Sequence, residues 1–97
     1  MTKLRKSARG QPCLVRIPGV CNHDPETVVL AHVRRGQVAG TGQKPADLCG
    51  VFACSSCHNE IDRRTRKVSM DELDGYILDG MCRTLAYWSR EGLIRAD

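Results

Sequence analysis

Apolar and polar positions follow different periods in different parts of this chain. Met70, Leu73, Ile77, Met81, Leu85 and Trp88 recur at three- and four-residue intervals. That spacing predicts an amphipathic helix with those six side chains on its buried face. Ser69 and Glu72 fit a capping box at its start, and Gly92 fits its stop. Upstream, Thr27-Val28-Val29-Leu30-Ala31-His32-Val33 is rich in β-branched residues and predicts a strand. Leu48 to Ala53 predicts a second, shorter apolar strand. Arg34 to Pro45, with Gly36, Gly40 and Gly42, reads as a flexible loop between them. Ser55 or Ser56 suits the cap of a helix that runs through Asp62 to about Arg64. Cys13 to Cys21 reads as a short hairpin or wide knuckle turned at Pro18-Gly19, and 22–26 as a polar loop. The first ten residues are too charged to bury a face and read as a loose basic arm.

Composition narrows this outline to an α+β fold. A chain of 97 residues supports one domain. It divides into an arm (1–10), a core (11–66) and a C-terminal amphipathic helix with its tail (67–97). Only 4% of the residues are aromatic, so the core is thin. A structural metal would offset that, since binding contributes roughly 10–16 kcal/mol of folding free energy in zinc-finger peptides. The net charge is +4. Lys3, Arg5, Lys6 and Arg9 precede the first Cys, and Arg63, Arg64, Arg66 and Lys67 follow Asp62. That distribution suits a polyanionic partner. The charged first ten residues lack the apolar centre of a secretory signal, and no apolar run is long enough to span a membrane. The expectation is a cytoplasmic protein with reduced thiols. The six cysteines could alternatively pair as disulfides in an oxidising compartment.

Cys54-Ser55-Ser56-Cys57-His58-Asn59-Glu60-Ile61-Asp62 concentrates the candidate chemistry. Two thiolates two residues apart suit a structural zinc. With Cys13 and Cys21 they make a four-sulfur set that staples the N-terminal segment to a helix. In the alternative set Cys13 is merely buried, and His23 or His58 completes the tetrahedron. Cys49 and Cys82 lie in apolar surroundings and read as small buried hydrophobes. His58 and Asp62 share one helix face a turn apart and suit a hard divalent ion, Mg²⁺ or Mn²⁺, that acts on phosphate. His32, in the first strand, is the candidate general base. Arg34, Arg63 and Arg64 are the candidate phosphate anchors. A scaffold metal beside a catalytic one points towards nucleic-acid cleavage.

These residues resemble the HNH-type, ββα-metal nucleases, in which a strand-end His is the base and a following helix supplies metal ligands. His32 matches the base. Cys54-x-x-Cys57-His58-x-x-x-Asp62 matches the knuckle and helix. Over most of 4–95 the chain is similar to the YbcO-like family of small prophage nucleases. The stretches that carry this are Leu4-Arg5-Lys6, Cys13 to Cys21, Leu30 to Arg34 and Cys54 to Arg64. The resemblance implies a zinc-stabilised, treble-clef-like ββα-metal fold and DNA as substrate. It also implies kinship with Ref, a phage nuclease that acts with RecA, and hence a recombinase–DNA filament as a possible partner. Two positions depart from the HNH pattern. Ala31, where a metal ligand commonly precedes the base, cannot ligate. The middle Asn has no counterpart, and Asp47 is the nearest polar residue.

A metal-dependent endonuclease therefore competes with a zinc module that binds nucleic acid or a recombination protein without cutting. A third class, an adaptor that dimerises through the long helix, is disfavoured. The outer face expected for that helix, with Arg83 and Arg90, shows no apolar stripe.

Overall fold

The computed structural model describes residues 2–35 and 45–95. Most of the glycine-containing stretch expected as a flexible loop, 36–44, lies outside the described residues. The elements run α1 (Lys3–Ser7), β1 (Val29–His32), β2 (Gly50–Ala53), α2 (Ser55–Ile61) and α3 (Met70–Arg90). Single 3₁₀ turns, Pro25–Thr27 and Asp47–Cys49, lead into the two strands. The architecture is a small α+β fold. None of its described helices is long and apolar enough to cross a membrane.

Both strands are shorter than their apolar runs. Asp24 caps the first turn through the Glu26 amide, and this takes Thr27 out of the strand. β1 and β2 pair antiparallel, Val29 opposite Ala53 and His32 opposite Gly50. The pairing brings the end of β1, with His32, beside the start of β2. Gly50 fits because a Cβ there would stand 2.5 Å from the Leu30 side chain.

α3 starts and stops where its sequence signals lie. The Ser69 hydroxyl accepts from the Glu72 amide at 3.2 Å. Gly92, at φ +72°, follows the helix, and the Leu93 amide returns to the Trp88 carbonyl. This is a Schellman closure. The buried face, however, is Leu73, Ile77, Gly80, Thr84 and Trp88. Met70 and Leu85, expected inside, are 43% and 37% exposed. The helix is rolled towards its small residues. At Gly80 it approaches the sheet so closely that a Cβ would lie 2.7 Å from Val51 Cγ2 and 3.1 Å from Val15 Cα. Thr84 Oγ1 accepts from the Phe52 amide at 3.2 Å and donates to the Gly80 carbonyl. The roll also turns Leu78, 62% exposed, outward with Leu85, and leaves Cys82 exposed. The outer face is therefore not free of apolar residues, and Cys82 is not a buried hydrophobe. Cys49 lies half-buried in the 3₁₀ turn before β2 rather than within the strand.

The N-terminal segment is ordered helix, contrary to the expected loose arm. Thr2 caps it through the Arg5 amide. Ala8 is fully buried, and the Ser7 hydroxyl accepts from the Trp88 indole N–H at 2.7 Å. Trp88 in turn meets Phe52 edge-on at 5.9 Å. One tryptophan thus joins α1, α3 and β2, which thickens a core poor in aromatics.

α2 is capped by Cys54, not by either serine, and it ends at Ile61, three residues before the expected stop. Arg63 takes the left-handed conformation at φ +58°. The Arg63 amide donates to the Glu60 carbonyl and the Arg64 amide to the Asn59 carbonyl. This Schellman ending places an arginine where glycine costs less. Its compensation is Glu60. That carboxylate is fully buried, and it accepts from Thr65 Oγ1 and the Val68 amide with Arg63 nearby. Burial alone would push its pKa up; the hydrogen bonds and the arginine more than offset this and hold it below the usual value.

Candidate metal centre and active-site cleft

The segment from Cys13 to Cys21 forms no strand and folds as a knuckle. The Leu14 amide donates to the Phe52 carbonyl at 2.9 Å, which ties the knuckle to β2. Gly19, at φ +75°, completes the turn, and the Cys21 amide closes on the Ile17 carbonyl. From the other side β2 delivers Cys54, whose sulfur accepts from the Cys57 amide at 3.4 Å as the α2 cap. Asn22 fastens the two halves by donating to Ser55 Oγ. The ligand atoms of Cys13, Cys21, Cys54 and Cys57 all lie within 4.8 Å of one another, so the four could hold a metal ion. Among the described residues this is the one group of three or more potential metal-ligating side chains. None of the six cysteines is in a disulfide. His23 Nδ1 is 3.6 Å from Cys21 Sγ, beside the four sulfurs.

The thiols are not equivalent. A hydrogen bond from the Cys57 thiol lowers Cys13 from 9.0 to about 4. The same bond, with burial, raises Cys57. Burial raises Cys21 to about 11. Crowded sulfurs without a counter-charge cannot all ionise. A divalent cation reverses that penalty, so the donor set fits one.

His32 ends β1 and is half-buried. Its Nε2 lies 2.8 Å from Asp47 Oδ1. The same carboxylate accepts from Thr2 Oγ1 at 2.6 Å and pairs with Arg5 at 3.3 Å. The Thr2 hydrogen bond, then those of His32 and Arg5, hold the Asp47 pKa down at about 2. An ionised Asp47 favours the tautomer with the proton on Nε2, which leaves Nδ1 as an acceptor. Sequence placed Asp47 nearest the absent Asn but did not reveal this contact.

His58 and Asp62 face each other on α2, Nε2 to Oδ2 at 3.2 Å. Arg64 reaches the same carboxylate oxygen at 3.4 Å. A cleft of about 400 Å³ is lined by Arg5, Arg9, His32, Arg34, His58 and Asp62, among others. An adjoining concavity shares His32, Arg34 and Asp62 and adds Arg35, Arg63 and Arg64. The sequence-selected base, ligand pair and arginines thus meet on one surface. Within it Arg63 is held internally, donating to the Val68 carbonyl at 3.1 Å, whereas Arg64 is mostly exposed. Arg5 and Arg9 belong to the basic cluster that the sequence offers to a polyanion, but their place beside His32, His58 and Asp62 was not legible, because the arm gave no sign of docking.

Comparison with known proteins places this chain in a family. Residues 2–93 match the family model described as "Putative nuclease YbcO". Over 96 residues the chain is 55% identical to "Putative nuclease YbcO" of Escherichia coli K12, covering 99% of this chain and all of that protein. The same identity and coverage hold for "Putative nuclease ybcO" of Enterobacteria phage 82. A solved structure described as that of a putative bacteriophage protein from E. coli K-12 superposes with a TM-score of 0.79. It is 51% identical, over 93% of this chain and all of the other. The chain belongs to the YbcO family.

Proposed function

We propose that this protein is a metal-dependent DNA endonuclease of the HNH, ββα-metal type, of phage or prophage origin. The observation that carries the proposal is the single cleft shared by His32, His58 and Asp62, with His32 oriented by Asp47. The order of β1, β2 and α2 agrees with the ββα-metal pattern, and the family names of the relatives point to nucleic acid.

In this mechanism His32 Nδ1 takes a proton from water, and the water oxygen attacks the phosphorus in line with the leaving oxygen. The phosphorus–oxygen bond to the leaving group breaks, and that oxygen is protonated from solvent. A Mg²⁺ or Mn²⁺ ion held by His58 and Asp62 would neutralise charge on the phosphate and the leaving oxygen. Arg34 and Arg64 hold flanking phosphates. Arg63, sequestered by Val68 and Glu60, supports the turn that presents Arg64. The four cysteines would hold a structural zinc, for which an all-sulfur set is the usual closed site. A recombinase–DNA filament is a compatible partner, and the reaction belongs in the cytoplasm, where the thiols stay reduced.

A second reading, a zinc module that binds DNA without cutting it, draws on one observation. The carboxylate of Asp62 already has a cationic partner, Arg64, at 3.4 Å. Metal-dependent nicking separates the two. The enzyme should nick supercoiled plasmid only when Mg²⁺ or Mn²⁺ is supplied, and Asp62→Ala should require more of the ion. Plasmid binding without nicking under either ion, with the zinc intact, favours the binding module.

A further inference from the structure

A second cationic groove, of about 470 Å³, lies between the cysteine knuckle and the C-terminal half of α3. Its walls include Arg16, Arg83, Arg90, Tyr87, Gln11 and Pro12, and none of its lining residues is acidic. It shares no lining residue with the His32 cleft or its extension. The zinc set and the proposed cleavage reaction use none of these side chains.

Two of the arginines are pre-positioned by the knuckle. Arg83 donates to the Leu14 carbonyl at 2.8 Å, and Arg16 Nε donates to the Cys13 carbonyl at 3.2 Å. Each guanidinium keeps further N–H groups beyond that bond. Arg16 also stands at φ +55°. Left-handed backbone is costly for a residue with a side chain, and glycine would serve the turn better. An arginine at such a position is consistent with a use for its charge. Beside these cations stands Tyr87, braced edge-on against Phe52 at 5.5 Å.

We propose that this groove binds a segment of single-stranded nucleic acid, with phosphates on Arg16, Arg83 and Arg90 and a base against Tyr87. Cationic side chains interleaved with an aromatic ring are the recurring design for splayed, unpaired bases. A duplex would offer phosphates to the arginines but no base face to the ring. The identity of the ligand class rests on the nuclease reading; the binding itself involves no chemistry. A nuclease with this second site would hold an unpaired strand on one surface while cutting at another.

The test is anisotropy titration of a labelled oligothymidylate against salt, without divalent ions. Arg16→Gly/Arg90→Ala should weaken binding roughly tenfold and reduce the log–log salt slope by about 1.4, since each single-strand phosphate contact contributes about 0.7. Glycine suits the Arg16 backbone, so the thermal midpoint of the variant should stay level or rise; Arg90→Ala alone gives a second, smaller loss if it does not. A photoactivated 5-iodouracil oligonucleotide should attach at Tyr87. Unchanged affinity and slope overturn the proposal. So does an adduct confined to the His32 cleft, or equal affinity for an oligoglutamate of the same length, which would make the groove a general polyanion patch. Plasmid nicking is read separately, so a chain that cuts nothing can still pass this test, and one that cuts well can fail it.

Discussion

His32 has two ring nitrogens, and the Asp47 contact decides which one is available for proton transfer. With Nε2 committed to the carboxylate at 2.8 Å, Nδ1 is the nitrogen left for the proton transfer we propose. Asp47 also ties α1 to the strand end through Thr2 and Arg5, so its charge matters for stability. Its pKa is depressed from 3.8 to about 2 in the fold. A depressed carboxylate stabilises the fold fully above its unfolded value, and that contribution disappears as pH falls through the folded value. The stability gap between wild type and Asp47→Asn, measured by urea unfolding, should thus be level above pH 3.8 and shrink towards pH 2. A gap independent of pH would show that the charge is not what Asp47 contributes. The two neighbouring arginines should separate equally clearly. Arg64→Ala should lower duplex affinity and reduce the salt slope by about 0.9. Arg63→Ala should instead lower stability, by about 1–3 kcal/mol, because it strips a partner from buried Glu60. A loss of DNA affinity from Arg63→Ala with unchanged stability would reverse these roles.

Among the elements, α3 shows best what a sequence can and cannot disclose. Its ends were legible because Ser69, Glu72 and Gly92 act on their own backbone neighbours. Its roll was not, because the contact face is set by what is absent at Gly80 and by one hydroxyl on Thr84. Hydropathy assigns neither to a core, and so it placed Met70 and Leu85 there instead. The same limit hid α1. Lys3, Arg5 and Lys6 show no buried face, and the helix holds through Trp88 and Asp47, more than forty residues away or further. Gly80→Ala tests the packing claim. Alanine is the better helix former by about 1 kcal/mol. The clash with Val51 and the Leu14–Val15 backbone should nevertheless make the variant less stable, by about 1–3 kcal/mol. A rise in the thermal midpoint would mean that the helix and sheet have room to spare.

For the whole molecule, one four-cysteine cluster and one tryptophan connect nearly every segment. The four cysteines were legible as a set, since a knuckle spacing at a helix start and a second pair left few other arrangements for a small reduced chain. The cleft was legible in its parts but not in its assembly. His32, His58 and Asp62 could be picked out one by one, yet the contact of Asp47 with His32 and the docking of Arg5 and Arg9 beside them arise only in the tertiary structure. The central claim is that His32 is the base of a nuclease whose scaffold is independent of that imidazole. The most direct measurement is the single-turnover nicking rate of supercoiled plasmid by wild type and His32→Ala, at equal protein-bound zinc and equal DNA affinity. The account predicts that the variant keeps its metal and its DNA and loses roughly 10²–10⁴-fold in rate. Nicking by His32→Ala at the wild-type rate would contradict it and move the chemistry elsewhere in the molecule.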